Sequence, residues 1–155
     1  MAASRDAVKE RRTASRAMIR ELVGVRDHVL ALYSELASKY PFDDTLPVTR
    51  LLEDFCQSLI DYTADTHFRL YRYIDEKRER RRPVIELADR VYPRILDSTD
   101  AILDFNDKYD FTRGREQIDL STLEDDLSRL GERLADRIDL EDQVIAALSR
   151  DKEPA

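Results

Sequence analysis

Apolar residues recur at intervals of three and four along four long blocks of the chain, which is the spacing of one buried face of an α-helix. The blocks run from about Ala14 to Tyr40, from about Val48 to Arg80, from Pro83 to about Lys108, and from Ser121 to about Leu148. We therefore predict four long amphipathic helices. Prominent stripe positions are Leu22, Leu30, Leu36, Ala37, Leu52, Phe55, Leu59, Tyr62, Val91, Ile102, Leu103, Leu127, Leu134 and Ile138.

The short connections between the blocks predict an all-α fold, an antiparallel up-down bundle of four long helices. Pro83 suits a first helical position, and Pro93 lies inside the third helix, where we expect a kink or a break. Ser121 and Glu124 have the spacing of a capping box at the start of the fourth helix. We expect a single domain over residues 1–155, with a basic N-terminal arm over 1–13 and a frayed tail over 150–155.

The amino-acid composition excludes several classes of protein. The 155 residues include only three glycines, too few for the many tight turns of an all-β fold. Lys and Arg number 26 against 33 Asp and Glu, a net charge of −7, whereas a nucleic-acid binder needs a basic face. The chain has one Cys and no apolar run of about 18 residues. We expect a cytoplasmic protein that binds neither nucleic acid nor membrane.

No residue pattern supports catalysis or a cofactor. A di-iron bundle needs Glu three residues before each His, but Val25 precedes His28 and Ala64 precedes His67. Neither His is followed by the small and basic residues of a phosphotransfer site. We predict that Cys56 is a small buried apolar residue. We therefore predict no metal, no cofactor and no enzymatic activity.

Two charged residues occupy positions where the apolar stripes predict core. Arg26 interrupts the first stripe, and Glu141 interrupts the fourth. Burying either charge alone is costly, whereas a hydrogen-bonded pair offsets much of that cost. Because the first and fourth helices of such a bundle are neighbours, we expect the two side chains to pair as a structural polar core, or as a polar floor beneath a binding groove.

The second block has an acidic outer face. Asp54, Gln57, Asp61, Asp65 and Phe68 follow one another at helical steps, away from its apolar stripe. A row of carboxylates is usually only a solvated surface, but an adjoining aromatic residue provides an anchor for a partner. These five residues are the candidate partner-binding site, and the expected partner is basic.

The run Leu52-Glu-Asp-Phe-Cys-Gln-Ser-Leu-Ile-Asp-Tyr62, followed by His67-Phe-Arg-Leu-Tyr71, resembles the signature of the Rsd/AlgQ family of bacterial anti-sigma factors. Stretches in the other three blocks agree, among them Val25 to Leu30, Tyr92 to Ile95, Phe105 to Asp110, and Leu130 to Leu134 with Leu140 to Asp142. The chain departs from the family pattern at Leu22-Val23-Gly24, where members carry Trp-Leu-His, and at Thr66, where they carry Gly.

The resemblance implies a regulator of transcription that binds stoichiometrically to the C-terminal region of the primary sigma factor, which reads the −35 promoter element. We expect the protein to be a monomer. Within the signature, Asp61 is the expected central carboxylate. The alternative is an adaptor that modulates a regulatory enzyme, such as an alarmone hydrolase, or that is titrated by a carrier protein.

Overall fold

Five α-helices and one π-helical segment make up the regular structure in the part of the chain that a computed structural model describes, which is residues 2–75, 79–110 and 118–150. The α-helices are α1 (Ala2–Ala37), α2 (Leu46–Asp65), α3 (Arg72–Asp75), α4 (Arg82–Lys108) and α5 (Leu123–Leu148), and the π segment is Thr66–Tyr71. The predicted all-α class is confirmed. None of the described helices is long and apolar enough to span a membrane.

The second block differs from its prediction because it contains three elements, with the π segment and α3 continuing directly from α2. The predicted basic arm is also helical where it is described, since α1 begins at Ala2. The assignment of a single domain remains a prediction, as does the frayed tail, of which residues 151–155 lie outside the described residues.

Prolines mark two of the helix starts. Pro47 lies in the first turn of α2 and Pro83 in the first turn of α4, where a missing N–H leaves no helical hydrogen bond unmade. Helix α4 continues through Pro93 from Arg82 to Lys108, so a break at this position is wrong, while a kink remains a prediction.

The predicted capping box is wrong. Helix α5 has Thr122 as its N-cap residue, with no side-chain capping bond. The Thr122 hydroxyl instead donates to Asp126 Oδ2 at 3.1 Å, and the Ser121 backbone N–H donates to Asp119 Oδ1 at 2.9 Å. The local turn made by Asp119 therefore replaces the reciprocal bonds that Ser121 and Glu124 would have formed.

Neighbouring long helices run antiparallel. Between α1 and α5, Arg26 contacts Asp142 and Tyr33 contacts the Leu127 carbonyl, so residue numbers rise on one helix as they fall on the other. The same reversal holds between α1 and the continuous α2 and π segment, which are joined by Tyr33–Phe55 and Glu21–Arg69. It holds between that segment and α4, which are joined by Cys56–Asn106 and His67–Tyr92. It also holds between α4 and α5, which are joined by Ser98–Arg137 and Tyr109–Asp126.

The apolar stripes predicted from the sequence form one core. Each predicted stripe is wider than the buried face of its helix, so some residues at its edge are exposed. Most of the prominent stripe residues are excluded from solvent, but Leu30 is 37% exposed and Leu103 is 44% exposed. Each directly follows a fully buried residue, Val29 and Ile102, and lies about 100° further around its helix. Ala37 is exposed for the same reason.

Candidate partner-binding face

The five candidate residues lie along α2 and the π segment, and we call them the acidic face: Asp54, Gln57, Asp61, Asp65 and Phe68. Asp54, Gln57 and Asp61 are exposed on consecutive turns of α2. The Gln57 amide donates to Asp61 Oδ1 at 3.2 Å, which orients that carboxylate along the helix.

Asp65 is the most enclosed carboxylate of the acidic face. Its Oδ1 accepts a hydrogen bond from Arg69 Nε at 2.8 Å, and Arg69 also pairs with Glu21 of α1. Its Oδ2 is buried and has no hydrogen-bond partner among the described residues. Burial, and then the charge of the neighbouring Asp61, raises the pKa of Asp65. A cationic donor at this position would satisfy the free oxygen and reverse the shift.

Phe68 projects from the π segment into solvent, with 60% of its surface exposed. The guanidinium carbon of Arg72 lies 5.8 Å from the centre of its ring, and His67 packs against it edge-to-face at 4.9 Å between ring centres. An exposed phenyl group beside carboxylates is the arrangement of an interface anchor with a charged surround.

The π segment accommodates the spacing of the buried residues. Tyr62, Thr66, Leu70 and Ile74 are all buried and are separated by four residues each. In an α-helix such steps drift around the axis, because four residues exceed one turn. A π turn contains more residues than an α turn, so it keeps this row against the core and leaves Phe68 outside.

A groove between α1 and α2 borders the acidic face. Gly24 forms part of its wall, and a Cβ added there would meet nothing within 4 Å, so the groove is open above this residue. Its lining includes three carboxylates, an imidazole and a guanidinium, and consists of Glu21, Gly24, Val25, His28, Ser58, Asp61, Asp65 and Arg69. Asp61 therefore belongs both to the exposed row and to the groove, whereas Asp65 is a partly buried residue of its lining.

Arg26 and Glu141 are brought together beneath this face. Arg26 Nη1 lies 3.6 Å from Glu141 Oε1, across the interface of α1 and α5. The same nitrogen makes a shorter bond of 2.8 Å to Asp142 Oδ1, a partner that the sequence reasoning missed. The role of the pair as structural support remains a prediction.

Glu141 is the centre of a buried polar network. Its Oε1 accepts a hydrogen bond from the Tyr62 hydroxyl, and its Oε2 accepts one from Thr66 Oγ1 at 3.0 Å and another from Arg137 Nε at 3.1 Å. Because Thr66 is the first residue of the π segment, this network holds the segment that carries Phe68.

Arg137 is a member of this buried network that sequence reasoning missed. It is 1% exposed, and its guanidinium lies over the Tyr62 ring at 4.9 Å and donates to Thr99 at 2.7 Å and to Ser98 at 3.0 Å. A signal was present, because Arg137 is three residues after Leu134 and four before Glu141, which places it within the fourth stripe.

The residues considered for other chemistry lie apart from one another. His28 lines the groove beside α1, while His67 is exposed and its Nδ1 is hydrogen-bonded to Tyr92 Oη of α4 at 2.7 Å. Cys56 is buried, and burial raises the pKa of its thiol to about 12. Within the described ranges, no three His, Cys, Asp or Glu side chains are arranged to hold a metal ion.

Comparison with known proteins shows that the chain matches one protein family. The family model described as "Regulator of RNA polymerase sigma(70) subunit, Rsd/AlgQ" matches residues 1–149. The regulator of sigma D of Enterobacter sp. (strain 638) is 32% identical over 145 residues, which cover 91% of this chain and 86% of that protein. Those of Salmonella arizonae and Salmonella newport are 30% identical over 138 residues, which cover 88% of this chain and 84% of theirs. No solved structure has significant similarity to the chain.

Proposed function

The chain belongs to the Rsd/AlgQ family of regulators of the RNA polymerase sigma(70) subunit, and we propose that it regulates by binding the C-terminal, −35-reading region of the primary sigma factor. The acidic face is the proposed contact surface. The observation that carries this proposal is that Phe68, which is 60% exposed, follows Asp61 and Asp65 at helical steps. One carboxylate oxygen of Asp65 is buried and has no hydrogen-bond partner among the described residues.

The chemistry of the two surfaces is complementary. A domain that reads DNA presents Lys and Arg to phosphates, and the same side chains can pair with the carboxylates of the acidic face. Opposite charge accelerates the encounter and fixes the orientation of the two proteins, while the apolar ring of Phe68 contributes desolvated contact area. A protein that occupies this surface prevents it from binding promoter DNA.

Blocking the DNA-reading surface of sigma in this way requires binding but no catalysed reaction. A standard interface buries about 1,600 Å² in total, or roughly 800 Å² on each partner, which is enough to cover the DNA-reading face of one small helical domain. The regulation is therefore stoichiometric, and the protein acts without a cofactor or substrate. A cytoplasmic location and a monomeric state are part of the same proposal.

The buried network supports the acidic face from below. Arg26 and Arg137 neutralise Glu141, and Glu141 holds Thr66, where the π segment begins. A rigid support keeps Phe68 and Asp65 in their binding geometry and reduces the entropy that is lost on association.

The proposal is tested by titrating the isolated C-terminal sigma region with the full chain in a calorimeter. We expect Asp61→Ala to weaken binding by well over the roughly 1 kcal/mol that is typical of a rim charge, with helicity and melting temperature unchanged. The matched control is Asp136→Ala, because Asp136 is exposed on α5 and the variant has the same change in net charge. Equal affinities for the two variants would exclude the acidic face.

Salt provides a second arm of this experiment. Affinity for the sigma region is expected to fall between low and physiological ionic strength, because exposed ion pairs are screened. A regulatory enzyme or a carrier protein as an additional partner also remains a prediction. A pull-down that recovers such a protein instead of sigma would favour the adaptor function.

A further inference from the structure

Two hydrogen bonds join helix α4 to α2 and the π segment, at points well separated along the helices. Near one end His67 Nδ1 and Tyr92 Oη are hydrogen-bonded at 2.7 Å, and near the other Asn106 Nδ2 donates to the carbonyl of Cys56 at 3.2 Å. These two contacts define which row of each helix faces the other. They are 11 residues apart on the α2 side and 14 residues apart on α4, which is about 17 and 21 Å of helix.

Three large apolar side chains lie between these contacts. Leu96 and Leu103 follow Tyr92 by four and eleven residues, and Ile60 follows Cys56 by four, so helical periodicity places all three on the facing rows. Leu96 is 46% exposed, and Leu103 and Ile60 are each 44% exposed. We call this surface the α2–α4 trough.

Single exposed leucines are ordinary on protein surfaces and need no explanation. The trough differs because its three members account for a large part of the exposed aliphatic side chains of the described residues and lie between two fixed contacts. The aromatic rings of Tyr92 and Phe68 extend the apolar surface at one end. The interval between the two hydrogen bonds, about 17 to 21 Å, corresponds to about three to four turns of helix.

Acidic residues predominate along the middle of the trough, and the Arg72 guanidinium lies over the Phe68 ring at one end. Residues 51–68 and 95–107, which provide both of its sides, contain eight Asp or Glu and no Lys or Arg. The exposed carboxylates next to the apolar rows are Asp61 on one side and Asp100, Asp104 and Asp107 on the other. A ligand of this trough must therefore carry positive charge on both flanks of an apolar stripe.

We propose that the α2–α4 trough binds an amphipathic helix of a protein partner, with its apolar stripe on Ile60, Leu96 and Leu103 and with Lys or Arg on both flanks. Apolar contact provides the affinity, and the carboxylates on both sides specify basic helices and set their register. This surface is on the α4 side of α2, whereas the groove beside Asp65 is on the α1 side. Asp61 and Phe68 border both surfaces, but Ile60, Leu96 and Leu103 belong to the trough alone, so the inference does not depend on sigma being the partner.

The test uses the full-length chain and an 18-residue amidated helical peptide that has one leucine stripe flanked by lysines. We expect saturable binding by calorimetry and a loss of at least tenfold in affinity for Leu96→Gln combined with Leu103→Gln. Leu30→Gln is the matched control, because Leu30 is also a partly exposed leucine but lies on α1, and its affinity should remain within twofold of the unsubstituted protein. A peptide with glutamates in place of the lysines should not bind.

A second measurement uses the unsubstituted protein and so does not depend on variant folding. Titration with the lysine peptide should shift the methyl resonances of Ile60, Leu96 and Leu103 and leave those of Leu30 in place. The proposal is overturned if the peptide does not bind, if the trough variant and the Leu30 variant lose equal affinity, or if the shifts occur elsewhere. Sedimentation that shows a dimer lost in the trough variant would also overturn it, because a second copy would then be the occupant.

Discussion

Arg137 Nε lies 3.1 Å from Glu141 Oε2, and the two side chains are 1% and 0% exposed. This ion pair contacts every other long helix, through Arg26 of α1, Tyr62 of α2 and Ser98 of α4. A buried pair contributes little net stability compared with apolar packing, but its breakage leaves a charge without compensation. We therefore expect the pair to fix how the helices meet beneath the acidic face.

Glu141→Gln should strongly destabilise the fold. The substitution preserves the shape of the side chain but leaves the guanidinium of Arg137 buried without a counter-charge, and single breaks of this kind cost about 3–5 kcal/mol. Urea unfolding followed by circular dichroism measures the change. The control is Glu132→Gln, exposed on the same helix, which should stay within about 0.5 kcal/mol. A loss below about 1 kcal/mol for Glu141→Gln would contradict the role of the network.

Sequence reasoning identified Arg26 and Glu141 because each interrupts an apolar stripe, and the structure brings them within 3.6 Å of each other. It missed Arg137, because an Arg between Leu134 and Ile138 also fits the edge of a solvated helix face. It missed the π segment as well. The row from Tyr62 to Ile74 fits an α-helical stripe nearly as well, and only packing against the core decides between the two geometries.

The two described glycines inside helices should respond oppositely to alanine. At Gly24 a Cβ meets nothing within 4 Å, so Gly24→Ala should stabilise by about 0.5–1 kcal/mol through helix propensity. At Gly131 a Cβ would lie 2.9 Å from Tyr33 Cζ and closer still to its hydroxyl, which donates to the Leu127 carbonyl.

Gly131→Ala must therefore displace the Tyr33 ring and lose this hydrogen bond, and the cost of overpacking, about 1–3 kcal/mol, exceeds the gain in propensity. Thermal melts of the two variants provide the comparison, with each serving as the control for the other. Equal shifts in melting temperature would show that Tyr33 moves aside without cost.

Because of Glu79, the free energy of unfolding should depend on pH in the acidic range. Burial alone would raise the pKa of this carboxyl, but Arg81 donates to it through its backbone N–H at 2.9 Å and through Nε at 2.8 Å, and these bonds with the guanidinium charge hold the pKa below its ordinary value. Because the folded-state pKa is lowered, the contribution is complete above the unfolded value near 4.5 and is lost as the pH falls through the folded value.

Glu79→Gln should consequently cost about 1.5–3 kcal/mol at pH 7, the range for hydrogen bonds to a charged group, and the difference from the unsubstituted protein should shrink as the pH falls below about 4.5. Urea unfolding at several pH values measures it. Glu86→Gln removes the exposed pair with Arg82 and should change stability by less than about 1 kcal/mol. A pH-independent difference for Glu79→Gln would contradict this assignment.

Cys56 should be inert in the native protein despite being a free thiol. The thiolate is the reactive form, and burial, followed by the charges of Asp110 and Glu53, raises the pKa of this thiol to about 12. At pH 8 we expect no reaction with an aromatic disulfide reagent over the time in which an unfolded control reacts completely. Addition of urea through the unfolding transition should expose one thiol per chain. Fast native labelling would show that α2 opens locally at Cys56, next to the row that faces α4.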